Sequence, residues 1–188
     1  MKGLSLLVGK LRVDQSKAQT VLTATVILTS LAAMVVGARS MIPLLNSVTF
    51  LYRQADTAGM EWIQENIPPT ETILVNTFPW GYGLYAGNDG GYWISSLAGP
   101  KTMPPPVLYG LTNDPAQIKA INQLSRQVVE KGGQPAELAE VMRQAGLRYV
   151  YIGAKGGSFS AKGMLESGLF QTIYHENGTW LLKLQATP

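Results

Sequence analysis

Residues 18–38, AQTVLTATVILTSLAAMVVGA, run for 21 positions without a charge between Lys17 and Arg39. As an α-helix this stretch reaches about 32 Å at about 1.5 Å per residue, the thickness of a bilayer's hydrocarbon core. Gln19, Thr20, Thr23, Thr25, Thr29 and Ser30 are polar for such a position. In a helix, however, Thr and Ser hydroxyls bond back to the carbonyl one turn earlier, which hides most of that cost. The segment is therefore read as a transmembrane helix. Two other readings remain: the buried helix of a soluble domain, opposed by the lack of any charged face, and a secretory signal cleaved after Ala38, opposed by the length of the apolar stretch and of the basic leader.

Charge is placed unevenly around the segment. Residues 1–17 carry Lys2, Lys10, Arg12 and Lys17 against Asp14, whereas residues 39–188 hold 11 basic and 11 acidic side chains. By the positive-inside rule the basic leader is expected in the cytoplasm and the remainder outside, in a single pass through the cytoplasmic membrane. Residues 1–13 suit a short amphipathic surface helix or the tail of an earlier membrane segment. Residues 39–53, interrupted by Pro43, are expected to form an interfacial connector, leaving residues 54–188 as one folded domain. With no net charge, that domain offers no electrostatic footprint for nucleic acid. With no cysteine in the chain, disulfides, zinc–thiolate sites and thiol nucleophiles are ruled out.

The domain alternates helical and strand patterns, the signature of an α/β layer. Residues 54–66 have a helical apolar side (Ala55, Ala58, Met60, Trp62, Ile63) that stops at Pro68-Pro69. Residues 72–78, TILVNTF, read as a buried strand. Asp114-Pro115 opens a helix with Ile118, Ile121, Leu124, Val128 and Val129 on its apolar side, ending at Gly132-Gly133. A second helix spans residues 135–145, capped at Gly146. Residues 148–153, RYVYIG, form a second buried strand, and a short helix is expected over 162–167. Asn177-Gly178 then turns a hairpin between residues 170–175 and 179–184. The expected architecture is a small α/β domain with a mixed sheet of about four strands, its two central strands parallel, and a C-terminal hairpin.

Residues 79–112 break this regularity. Five prolines and six Tyr or Trp crowd there among glycines, and the segment reads as a long structured loop of functional kind. Within it, Asn88-Asp89-Gly90-Gly91-Tyr92-Trp93 is the most site-like run. The glycines free the backbone to display Asn88 and Asp89 beside Tyr92 and Trp93, and a carboxylate next to aromatic faces suits sugar hydroxyls and rings. The bland alternative is an Asx-stabilised turn. Lys101 and Tyr109 complete the expected substrate-binding set. Residues 153–157, GAKGG, follow a strand but lack the spacing of a P-loop or dinucleotide fingerprint, so a strand-to-helix turn is the better reading, with Lys155 near enough to the membrane to meet a lipid phosphate. His175, the single histidine, anchors neither a zinc site nor a Ser-His-Asp triad. No catalytic residue, metal or cofactor is expected.

Several motifs together resemble the C-terminal end of bacterial multi-spanning glycosyltransferases of the GT-C architecture, similar to the dolichyl-phosphate-mannose-protein mannosyltransferases. They are Asp56, Ala58, Trp62, Ile63, Asn66 and Pro68; residues 73–76 (ILVN); Gly87, Asp89, Gly90, Gly91, Trp93 and Ile94; Thr102, Pro105, Pro106, Tyr109 and Gly110; and residues 149–153 (YVYIG). The resemblance spans about residues 20–185. It implies a polyprenyl-phosphate-linked sugar donor and transfer outside the cytoplasmic membrane. In that family the catalytic acids lie in an extracytoplasmic loop near the N-terminal helices, which this chain lacks. The expectation is therefore a C-terminal portion that works with a polytopic membrane partner and is not catalytic alone; the alternative is a single-pass envelope binding or assembly module.

Overall fold

The computed structural model describes residues 15–42 and 49–186. The amphipathic leader expected over residues 1–13 and the break expected at Pro43 lie outside them. The chain divides into two compact units, Met1–Thr49 and Phe50–Pro188.

In the first unit, α1 spans Gln15–Met41. It outruns the uncharged stretch at both ends and takes in Arg39, Ser40 and Met41 of the expected connector, because nothing there breaks the helical hydrogen-bond ladder. Its stretch Lys17–Met41 is 25 residues long, its most apolar 18 residues have a mean hydropathy of 2.1, and it is long and apolar enough to cross a membrane. Signal sequences near an N-terminus meet the same criterion. The polar residues behave as back-bonding predicts: Thr25 Oγ1 donates to Val21 O at 2.8 Å, Thr29 Oγ1 to Thr25 O at 2.9 Å, and Ser40 Oγ to Val36 O at 2.9 Å.

The second unit is a three-layer α/β fold. Its helices are α2 (Thr57–Asn66), α3 (Ile94–Leu97), α4 (Pro115–Lys131), α5 (Pro135–Gln144) and α6 (Ala161–Glu166). Strands β1 (Thr72–Val75), β4 (Lys101–Met103), β5 (Tyr149–Ile152), β6 (Phe170–Glu176) and β7 (Thr179–Leu184) form a five-stranded mixed sheet in the order β4-β1-β5-β7-β6. β1 runs parallel to both β4 and β5, while β5–β7 and β6–β7 are antiparallel. Strands β2 (Thr77–Gly81) and β3 (Leu84–Gly87) make a separate antiparallel pair.

Alternation along the central strands divides the core. Leu74, Val150, Ile152, Leu182 and Leu184 face Val128 of α4, Leu138, Val141 and Met142 of α5, and Met164 of α6. Ile73, Val75, Tyr149, Tyr151 and Leu181 face the other way, against Met60 and Ile63 of α2 and Ile94 of α3. Covering both faces explains why β1 and β5 read as continuous apolar runs instead of alternating ones.

Two expectations about elements need correction. The single strand anticipated over residues 72–78 is two, because Asn76 turns its side chain into the fold and sends Thr77 into the separate hairpin. The supposed loop 79–112 contributes most of β2, all of β3, α3 and the sheet-edge strand β4. Elements of three to five residues leave too few turns of either period to register in sequence, and Pro79 is tolerated because β2 pairs on one side only. The C-terminal turn is as expected, with Asn177 and Gly178 at φ of 50° and 84°, both in the left-handed region that such two-residue hairpins demand.

Leu182, fully buried between the sheet and the layer of α4, α5 and α6, is the place to test this core. Leu182→Ala is expected to lower unfolding free energy by about 2–5 kcal/mol, while Leu97→Ala, half exposed, changes it by less than about 0.5 kcal/mol. Urea unfolding followed by far-UV circular dichroism measures both.

Candidate functional site

In an open parallel sheet, ligands gather beyond the carboxyl ends of the strands where successive connections leave a strand in opposite directions. Here that position lies beside β1, whose parallel neighbours are β4 on one side and β5 on the other. The chain fills it with its own groups. Asp56 enters from the 3-10 turn Gln54–Asp56 ahead of α2, Asp89 from the segment after β3, and Asn76 from the end of β1.

All three are fully buried. Asp56 Oδ1 accepts from Tyr151 Oη at 2.8 Å, Ala154 N at 2.8 Å and Thr179 Oγ1 at 3.0 Å; Oδ2 accepts from Arg53 N at 2.7 Å. Asp89 Oδ2 accepts from Asn76 Nδ2 at 2.7 Å and Gly153 N at 2.8 Å, and Oδ1 from Gly91 N at 2.9 Å. Asn76 Oδ1 accepts from Phe159 N at 2.9 Å. The glycines make room for this. A Cβ on Gly90 would stand 2.6 Å from Asp56 Oδ2, and one on Gly157 would stand 2.5 Å from Asn76 Oδ1.

The glycine-rich turn after β5 thus cradles anions, but they are the protein's own carboxylates. Gly153 and Ala154 spend their N–H groups on Asp89 and Asp56. Lys155 Nζ donates to Asn88 O at 2.9 Å and to Asn88 Oδ1 at 3.0 Å. The turn reading of residues 153–157 is the one the geometry supports, and Lys155 is held within the fold.

The expected site residues fall in three places. Asn88, Asp89, Tyr92 and Trp93 stay together, yet Asp89 is not displayed to a ligand as anticipated, because the glycines fold its carboxylate inward. Tyr92 packs over Gly87 and meets Trp93 edge-on at 5.3 Å, and Trp93 is 42% exposed. Lys101 starts β4 in register with Thr72, at the amino end of β1 and so at the opposite end of the sheet. Tyr109 lies elsewhere again: its hydroxyl accepts from Tyr85 N at 2.8 Å and donates to Asn122 Oδ1 at 2.6 Å. Burial raises its pKa.

Sequence reading missed Asp56 and Asn76 as members of the buried cluster. Both were legible only as motif positions, because partners such as Tyr151 for Asp56 and Phe159 for Asn76 lie 95 and 83 residues away. It also missed an open cleft of about 480 Å³ between β3 and α4, lined by Gly83, Tyr85, Ile118, Lys119, Asn122 and Arg126 among others. Among the described residues no group of three or more His, Cys, Asp or Glu side chains could hold a metal ion.

Burial pushes the Asp89 carboxyl up to about 6, against the pull of the Asn76, Gly153 and Gly91 N–H groups. A carboxyl pKa raised on folding stabilises the fold below the unfolded value and loses that contribution as pH climbs through the folded value. The contribution of Asp89 should therefore fall between about pH 4 and pH 6, by an amount on the order of 2–3 kcal/mol. Asp89→Asn removes the titration and sets an amide N–H against Gly91 N, costing about 1–3 kcal/mol. Urea midpoints of both proteins across this range should show the wild-type advantage shrinking as pH rises; parallel curves would refute the assignment.

No protein-family model matches the chain, and neither the curated proteins nor the solved structures compared with it include a match.

Proposed function

We propose that the chain is the membrane-anchored, extracytoplasmic α/β portion of a glycosyltransferase that uses a polyprenyl-phosphate-linked sugar, and that it binds instead of catalysing. The observation that carries this reading is the apolar helix of 25 residues, Lys17–Met41, exposed along its length. The excess of basic residues before it favours an anchor in the cytoplasmic membrane with the α/β unit outside. The motif resemblance supplies the transferase context.

The non-catalytic role rests on the buried cluster. A general acid or base must reach the proton it transfers, and both oxygens of Asp56 and of Asp89 are occupied by internal donors. Catalytic carboxylates would come from a polytopic partner. The surface offered to a sugar is the Tyr92-Trp93 pair, an exposed aromatic face of the kind that covers a pyranose ring.

Trp93→Ala keeps the fold, since the side chain is part exposed, and removes that face. Sugar transfer from a polyprenyl-phosphate donor, measured in membranes holding this chain with a polytopic transferase that lacks such a domain, should fall about tenfold, the equivalent of about 1.4 kcal/mol. Unchanged transfer in the variant would remove the sugar-binding assignment. If the wild-type chain adds nothing to transfer while staying in the membrane, the chain is an envelope binding or assembly module instead.

A further inference from the structure

The β2–β3 hairpin, the 3-10 turn Val107–Leu111 and α4 form one continuous patch. Tyr109 joins them by its bonds to Tyr85 and Asn122, and a Cβ on Gly110 would stand 2.5 Å from Leu84. Four large apolar side chains stand exposed on these elements: Trp80 at 54%, Tyr82 at 101%, Leu108 at 69% and Leu111 at 80%. None of them serves the core.

Tyr82 is the most telling of the four. It sits at φ of 51° between Gly81 and Gly83, both also at positive φ. A bulky residue in the left-handed region costs energy that glycine would avoid. This strained backbone holds up a ring that touches nothing else in the domain.

The cleft beside the tip carries the matching charge. Gly83 lies at its rim, and Lys119 and Arg126 project into it from α4, seven residues apart, which is about 10.5 Å along a helix. No carboxylate lines it, and among the described residues none lies within ion-pair distance of either cation. The Tyr85 side chain and, along the helix, Glu130 raise the pKa of Arg126 further. Asp114 spends its carboxylate on the N–H groups of Ala116 and Gln117 at 3.0 Å.

Tryptophan and tyrosine beside exposed leucines, backed by cations that form no ion pair, is the composition that settles at a membrane–water interface, the rings at headgroup level and the cations on lipid phosphates. From this we infer that the hairpin tip and the 107–111 turn dock onto an anionic phospholipid surface, with Lys119 and Arg126 meeting the phosphates. The inference rests on the membrane-anchor part of the proposed function. The area is small and apolar at its tip, and the docking it provides is of a tethered domain onto its own bilayer.

The test uses the full chain in nanodiscs of phosphatidylcholine and phosphatidylglycerol doped with a headgroup-nitroxide lipid, read by amide NMR. Signals from residues 80–83 and 108–111 should lose more than about half their intensity while those of α6 keep theirs, and Lys119→Gln with Arg126→Gln should restore about half of the loss, since each cation near an anionic surface adds to the attraction. Trp80→Ser with Tyr82→Ser should abolish docking without unfolding the domain, because both side chains are exposed. If the chain enters nanodiscs but its tip signals stay intact, the docking inference fails alone and the patch is left for a protein partner. If the chain stays out of the nanodiscs, anchor and docking fail together.

Discussion

Two carboxylates withdrawn from water hold the α/β unit together where a parallel sheet is weakest. At the carboxyl ends of parallel strands, successive connections part and leave backbone N–H groups without ladder partners. Asp56 and Asp89 accept from seven donors between them, four of them backbone N–H groups (Arg53, Gly91, Gly153 and Ala154) and three side chains (Asn76, Tyr151 and Thr179). In a dry interior each such bond is costly to lose. The glycines at 90, 91, 153 and 157 follow from the same constraint, since side chains there would collide with the cluster.

This arrangement also determines what the unit does not do. The crevice that doubly wound sheets usually give to a ligand is occupied from within, and the glycine turn that elsewhere holds a phosphate holds the protein's own acids. The proposed contact surfaces, the aromatic pair at Tyr92 and Trp93 and the cleft beside α4, lie outside this crevice. Asp89 illustrates the balance: desolvation alone would neutralise it, and only the ring of N–H donors keeps its pKa as low as about 6.

Much of the chain's organisation was readable residue by residue. Helices α4 and α5 announce themselves by Pro at the first turn and a long apolar period, β1 and β5 by β-branched and aromatic runs, and the terminal hairpin by Asn177-Gly178, because each of these signals is local. The five-stranded sheet exceeded the expected four because β4 has three residues and lies among prolines. The site was less legible. Asn88 to Trp93 reads in sequence as the most site-like run, but glycines beside an acid are equally consistent with displaying it and with burying it. The deciding contacts come from residues 56, 76 and 153.

The amino-acid sequence by itself determined the apolar helix, its flanking charge and the α/β class, since hydropathy and periodicity are properties of short windows that need no partner. Only the tertiary structure decided that Asp89 faces inward, that Lys101 and Tyr109 stand apart from it, and that Tyr82 projects into open space. The first depends on donors from residues as far off as Gly153, 64 positions along the chain, converging on a buried carboxyl, and the others on how separate elements pack; contacts at such separations leave no trace in local pattern.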